Sequence, residues 1–171
     1  MKQHLAVIIA TVLLVVTLLT CWYLTGSNTE PNGWVMSQDT GENDIQTLER
    51  MINDARKEHK LAPLKVSLVL NTAAEGHAKN MARQNKLDHV LDGKSPSDRI
   101  TKLGYKWTWC AENIAWNQQT LEKVMEGWMN SAGHRANILS PKGEELGIGI
   151  VFSPKREPYY CTVFAKPAKG N

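Results

Sequence analysis

The chain has 171 residues, with 20 Lys and Arg against 17 Asp and Glu and a formal net charge of +3. Hydrophobic residues make up 42% and charged residues 22%, which is too apolar for a disordered chain and fits one ordinary domain. So balanced a charge gives no footprint for nucleic acid, three Cys are too few for a disulfide-dense scaffold, and Gly147-Ile148-Gly149 lacks the rest of any nucleotide-binding fingerprint.

The first element is apolar. Leu5 to Leu24 reads LAVIIATVLLVVTLLTCWYL, with no charge between Lys2 and Glu30. As a helix, residues 5–25 would rise about 31 Å, enough to cross a hydrocarbon core. Trp22 and Tyr23 fall at its far end, where amphipathic rings favour the interface. Lys2 precedes the span, and no further Lys or Arg comes before Arg50. The positive-inside rule therefore predicts a cytoplasmic tail at residues 1–4, a transmembrane signal-anchor at 5–25 and the remainder outside the cell membrane. A cleaved signal peptide, releasing a secreted protein, is the alternative. Such peptides carry apolar regions of about 7–15 residues before a small-x-small site, and Leu24-Thr25-Gly26 matches that poorly. A lipoprotein reading of Leu18-Leu19-Thr20-Cys21 is weaker still, because Thr20 is bulky there. Residues 26–43 are rich in Gly, Asn, Ser, Thr and Pro without periodicity and read as a flexible tether.

A folded domain is expected over residues 44–166, with a short tail at 167–171. Ile45, Leu48, Met51, Ile52 and Ala55 recur at helical spacing and predict a helix from Asp44 to about His59. Ser67 is expected to cap a second helix to about Lys86, with Leu70, Ala73, Ala74, His77, Ala78 and Met81 inward; His77 there reads as a core histidine bonded to a backbone group. Leu87 to Thr101 reads as a loop, since Asp92-Gly93, Ser95-Pro96 and Ser97-Asp98-Arg99 are turn chemistry. Lys106 to Trp116 reads as a strand, Thr120 as the cap of a third helix, and Ser131 as the cap of a helical turn through His134. Glu145–Phe152 and Pro158–Ala165 alternate as strands around the hairpin loop 153–157. The class is α+β, helices layered on an antiparallel sheet.

Cys110 and Cys161 lie in predicted strands outside the membrane, where an oxidising compartment permits a disulfide. It would close a loop of about 50 residues, worth roughly 4 kcal/mol in the chain-entropy account; two buried free thiols are the alternative. His89 and His134 fall in stretches too polar and turn-rich for core positions, and Glu112 stands in an otherwise apolar strand. A buried carboxylate needs hydrogen bonds or a cation, and two imidazoles with one or two carboxylates can hold Zn²⁺. Spacing alone is weak support for such a site.

Several segments, taken together and in order, resemble the CAP superfamily (the SCP domain of cysteine-rich secretory proteins, antigen 5 and pathogenesis-related 1). They are Ile52-Asn53 with Arg56, Leu61 to Leu64, Ala74 to Ala78, Asp88-His89, Cys110 to Trp116, Gly127 to Ser131 with Gly133 to Leu139, Leu146 to Gly149, and Tyr159-Tyr160 with Val163 to Ala165. The single cysteine pair is similar to compact bacterial members. The resemblance implies an α-β-α sandwich with a central antiparallel sheet and a cleft holding two histidines and two glutamates, which in some members binds a divalent metal. By motif, His89 and His134 match the histidines and Glu112 the first glutamate. The second glutamate has no counterpart in Met129-Asn130-Ser131, and Glu145 is the carboxylate expected to approach instead. Three of four matched positions favour a non-enzymatic module for a lipid, an envelope component or a small apolar ligand, with Zn²⁺ or another divalent metal on His89 and His134. A metal-dependent hydrolase, protease or esterase, using the same cleft is the alternative.

Overall fold

The computed structural model describes residues 40–169, so the predicted anchor and all of the tether up to residue 39 lie outside the described residues. Among the described residues no helix is long and apolar enough to cross a membrane.

Helix α1 (Thr40–Glu58) begins inside the expected tether and leads to β1 (Lys65–Val66) and α2 (Leu68–Gln84). Then come α3 (Pro96–Lys102), β2 (Trp107–Trp116), α4 (Leu121–Asn130), α5 (Ala132–Ile138), β3 (Glu145–Phe152) and β4 (Pro158–Pro167). The sheet order is β1-β3-β4-β2. The three long strands are antiparallel, as expected, while the two-residue β1 runs parallel to β3.

Strand alternation divides the interior into two layers. From β4, Tyr159, Cys161, Val163 and Ala165 face α2, where they meet Leu70, Ala74, Ala78 and Met81. Tyr160 and Phe164 face the opposite layer with Leu48 and Ile52 of α1, Trp128 of α4 and Ile138 of α5. The helix–sheet–helix layering is thus as predicted. On the α2 side β3 presents Gly147 and Gly149, where an added Cβ would fall 2.0 and 2.3 Å from the α2 backbone. That close approach requires glycine at both positions.

Three local expectations change. The loop 87–101 contains α3, which a capping box starts: Ser95 Oγ accepts from Asp98 N at 3.3 Å and Asp98 Oδ2 accepts from Ser95 N at 2.9 Å, with Pro96 in the first turn. Ser67 and Ser131 occupy the N-cap positions of α2 and α5, but neither side chain makes a capping bond. The expected disulfide is also corrected, because Cys110 and Cys161 are both free thiols. Cys161 stands opposite Ile114 and Cys110 opposite Ala165. The two are therefore four residues apart along the ladder, roughly 13 Å, well beyond bridging range.

Candidate functional site

The β2 alternation turns Glu112 toward α2, where its side chain is 1% exposed. Three donors converge on it. His89 Nδ1 lies 2.9 Å from Oε1, Cys161 Sγ donates to Oε2 at 3.3 Å, and the Arg99 guanidinium donates to Oε2 as well. His77 Nε2 stands 3.8 Å from Oε1. Burial pushes the Glu112 carboxyl up, but the His89 hydrogen bond and the Arg99 charge outweigh it and hold the group below the usual carboxylate range.

The same groups shape the loop that presents His89. His77 Nε2 donates to Asp88 O at 2.9 Å, the backbone partner expected for a core histidine. Arg99 Nη1 donates to His89 O at 3.0 Å and to Lys94 O at 2.9 Å. His89 is thus held by the carbonyl before it, by its own carbonyl and by its ring. Because the Glu112 carboxylate can only accept, Nδ1 of His89 carries a proton, and in the neutral form of the ring the Nε2 lone pair is free; the side chain is 46% exposed.

His134 comes from the other side of the β2 edge, on α5. Asn113 Nδ2 donates to His134 O at 3.0 Å. Asn137 Nδ2 donates to Glu112 O at 3.2 Å and to Asn113 Oδ1 at 2.9 Å. These two asparagines pin α5 to the strand. Burial, then the charge of His89, push the His134 imidazole below its ordinary value. The ring borders a cleft of about 290 Å³ walled by Leu87, Ile114, Trp116, Val124 and Trp128. Trp128 Nε1 donates to Ile114 O at 3.1 Å, fixing the indole as a wall.

Glu145 does not join this group. It stands two strands across from Glu112, level with Ala165 and hence with Cys110, and its carboxylate accepts from Tyr105 Oη at 2.9 Å. Among the described residues no three His, Cys, Asp or Glu side chains form a cluster able to hold a metal. His89 Nε2 and the His134 ring are the donors on offer, with Glu112 behind His89. Arg99, read in sequence as turn chemistry, is the residue of the site that sequence reasoning missed.

A sandwich with this carboxylate–histidine edge defines a CAP domain. The profile described as "CAP: Cysteine-rich secretory protein family" matches residues 49–164, and the chain belongs to that family. It is 36% identical over 104 residues to the Bacillus subtilis protein YkwD, covering 60% of this chain and 40% of that one. It is 33% identical over 134 residues to the B. subtilis membrane protein YlbC, covering 78% and 36%. The chain therefore spans about two fifths of the length of these relatives. In fold it is similar to an outer surface protein of Borrelia burgdorferi (TM-score 0.71, 22% identity, 74% of this chain and 95% of that one). It is also similar to a Bacillus anthracis extracellular protein containing a SCP domain (TM-score 0.70, 24% identity, 82% and 45%).

Proposed function

We propose that this chain is a membrane-anchored, extracytoplasmic CAP domain that binds a small apolar ligand, drawn from lipid or from the cell envelope, in the cleft beside His134, without chemical turnover. The observation that carries this reading is the state of Glu112. A general base needs a free lone pair aimed at substrate, whereas this carboxylate is enclosed and already receives His89, Arg99 and Cys161. Asn130 lies in the stretch where the resemblance calls for a second glutamate. The cleft walls are mostly aromatic and aliphatic, with Gln118, Ser131 and His134 as the polar groups, the composition of a small-molecule binding site.

The placement outside the membrane rests on the charge pattern around residues 5–25. The description of one relative as a membrane protein and of a structural neighbour as extracellular accords with it. A divalent metal would be held by His89 Nε2 and His134, with water completing its shell; two protein donors make that a weak site. Glu112 would act on it only by orienting His89.

The test uses the full chain in a non-ionic detergent with the neutral fluorophore N-phenyl-1-naphthylamine. Saturable binding is expected, weakened about tenfold or more by Gly127→Leu. Gly127 lines the cleft and nothing lies within 4 Å of where a Cβ would stand, so a leucine there adds apolar bulk at the cleft border without a backbone clash. Absence of saturable binding, or ester or peptide cleavage abolished by Glu112→Gln, would overturn the reading, the latter in favour of the hydrolase.

A further inference from the structure

A second cavity, of about 450 Å³, opens between α2 and the 91–103 segment that carries α3. It shares none of the residues that line the cleft beside His134. Its lining holds Lys79, Arg83, Lys94, Arg99 and Lys102, against Asp92 as the one carboxylate.

The charges in it are unequally engaged. Asp92 already accepts from Asn80 at 3.0 Å and from Gln84 at 3.1 Å, with Arg83 at 3.5 Å. Lys79 is paired with Glu75. Lys94 and Lys102 are exposed and have no carboxylate at ion-pair distance among the described residues. At the inner end, Arg99 uses Nη1 on two carbonyls and Nη2 on Glu112, while its buried Nε has no hydrogen-bond partner among the described residues. The floor is apolar, formed by Ala73, Leu91 and Leu103, and Leu103 is 44% exposed.

We infer that this cavity, which borders the Glu112 cluster through Arg99 and His77 but shares no lining with the cleft beside His134, is a second binding site, for a phosphate ester. The phosphate lies between Lys94 and Lys102 with Arg99 behind it, and the organic part rests on Leu91 and Leu103. Unpaired ammonium groups on two elements suit a group with three anionic or acceptor oxygens better than a carboxylate with two. The volume exceeds that of inorganic phosphate and leaves room for a carbon body on the apolar floor. A lipid headgroup and a soluble phosphomonoester share this chemistry.

The experiment is titration of the full chain, in non-ionic detergent, with phenyl phosphate and with phenol as the phosphate-free control. Saturable binding of phenyl phosphate alone is expected. It weakens about tenfold or more in Lys94→Ala/Lys102→Ala, recovers in Lys94→Arg/Lys102→Arg and falls as salt is raised. Gly127→Leu leaves it unchanged, so this site and the cleft succeed or fail separately. Competition by phosphatidylglycerol vesicles, but not by phosphatidylcholine vesicles, would identify a lipid headgroup as the source of the phosphate. Lack of competition from either would identify a soluble ester. No saturable binding of phenyl phosphate, equal binding of phenol, or an alanine double variant that binds as the parent does would overturn the proposal. An unchanged urea midpoint for the double variant excludes misfolding as the cause of any loss.

Discussion

Arg99 and Glu112 form an ion pair whose side chains are 12% and 1% exposed. The first comes from a seven-residue helix and the second from the middle of β2. Both charges are largely withdrawn from water, so each depends on the other. Removing one member leaves a buried charge uncompensated, and Glu112→Gln is expected to cost about 3 kcal/mol. Arg99→Met should cost a similar amount and also release the carbonyls of His89 and Lys94. Their effects should not add, since each removes the same interaction. Urea unfolding of the two single variants and the double variant measures the coupling, and a strictly additive result would show that the pair contributes nothing as a pair.

Arg56 is a buried cation of another kind. It is 1% exposed and donates to four carbonyls: Ala62 at 2.9 Å, Ile138 at 2.8 Å, Ser140 at 2.9 Å and Gly143 at 3.4 Å. It thereby ties the end of α1 to the end of α5 and to the entry of β3. A planar five-donor fork can serve carbonyls in several directions, which an ammonium cannot. Arg56→Lys should cost about 2 kcal/mol, and Arg56→Met about 4 kcal/mol as the carbonyls lose their donors. The Met variant should also loosen α5, read out as faster amide exchange at residues 134–139.

Much of the fold was legible because periodicity reports burial. The stripe of Leu70, Ala74, Ala78 and Met81 and the alternation from Tyr159 to Phe164 each named the faces that the structure buries. The helix at Pro96 was not read, although Ser95 and Asp98 carry its capping signal, because Ser-Pro and Ser-Asp pairs equally suit turns. Histidines 89 and 134 stood out by polarity and by motif. Arg99 did not, since nothing local marks which arginine will reach a carboxylate thirteen residues away. The expected disulfide failed for a related reason. Both strands were read, but the register between them depends on long-range pairing that neither strand encodes alone.

The thiols give a direct check of that register. Burial, then the Glu112 charge, push both Cys110 and Cys161 up from the ordinary thiol value, so neither is readily a thiolate. Cys161 is fully buried and Cys110 half-buried. In protein unfolded without reductant, both should react with a maleimide. In the folded protein Cys110 should react slowly and Cys161 hardly at all. A pair of cysteines unreactive after unfolding would mean that they are bridged and that the register is wrong.

Stability should fall on acidification in two stages. Burial holds His77 below the ordinary 6.5 against the pull of Glu112, and burial with the His89 charge does the same for His134. Between the folded and unfolded values of such groups the unfolded chain binds more protons. Stability therefore rises with pH there, is complete above about 6.5 and is lost as pH falls below that value. Glu112 acts lower on the scale. Burial alone would raise its carboxyl, but His89 and Arg99 hold it below the ordinary 4.5. Its contribution is present above about 4.5 and disappears as pH falls through the folded value. The urea midpoint of the parent should be flat from about pH 7 to 8, decline from about 6.5, and decline again below about 4.5. His77→Gln should reduce the first decline, since an amide can keep the bond to Asp88 O without titrating, and Glu112→Gln should reduce the second, to which the depressed carboxyls of Asp88, Asp92 and Asp98 also contribute. A midpoint that rises as pH is lowered from 7 to 5 would contradict the depressed imidazoles and, with them, the burial assigned to His77 and His134.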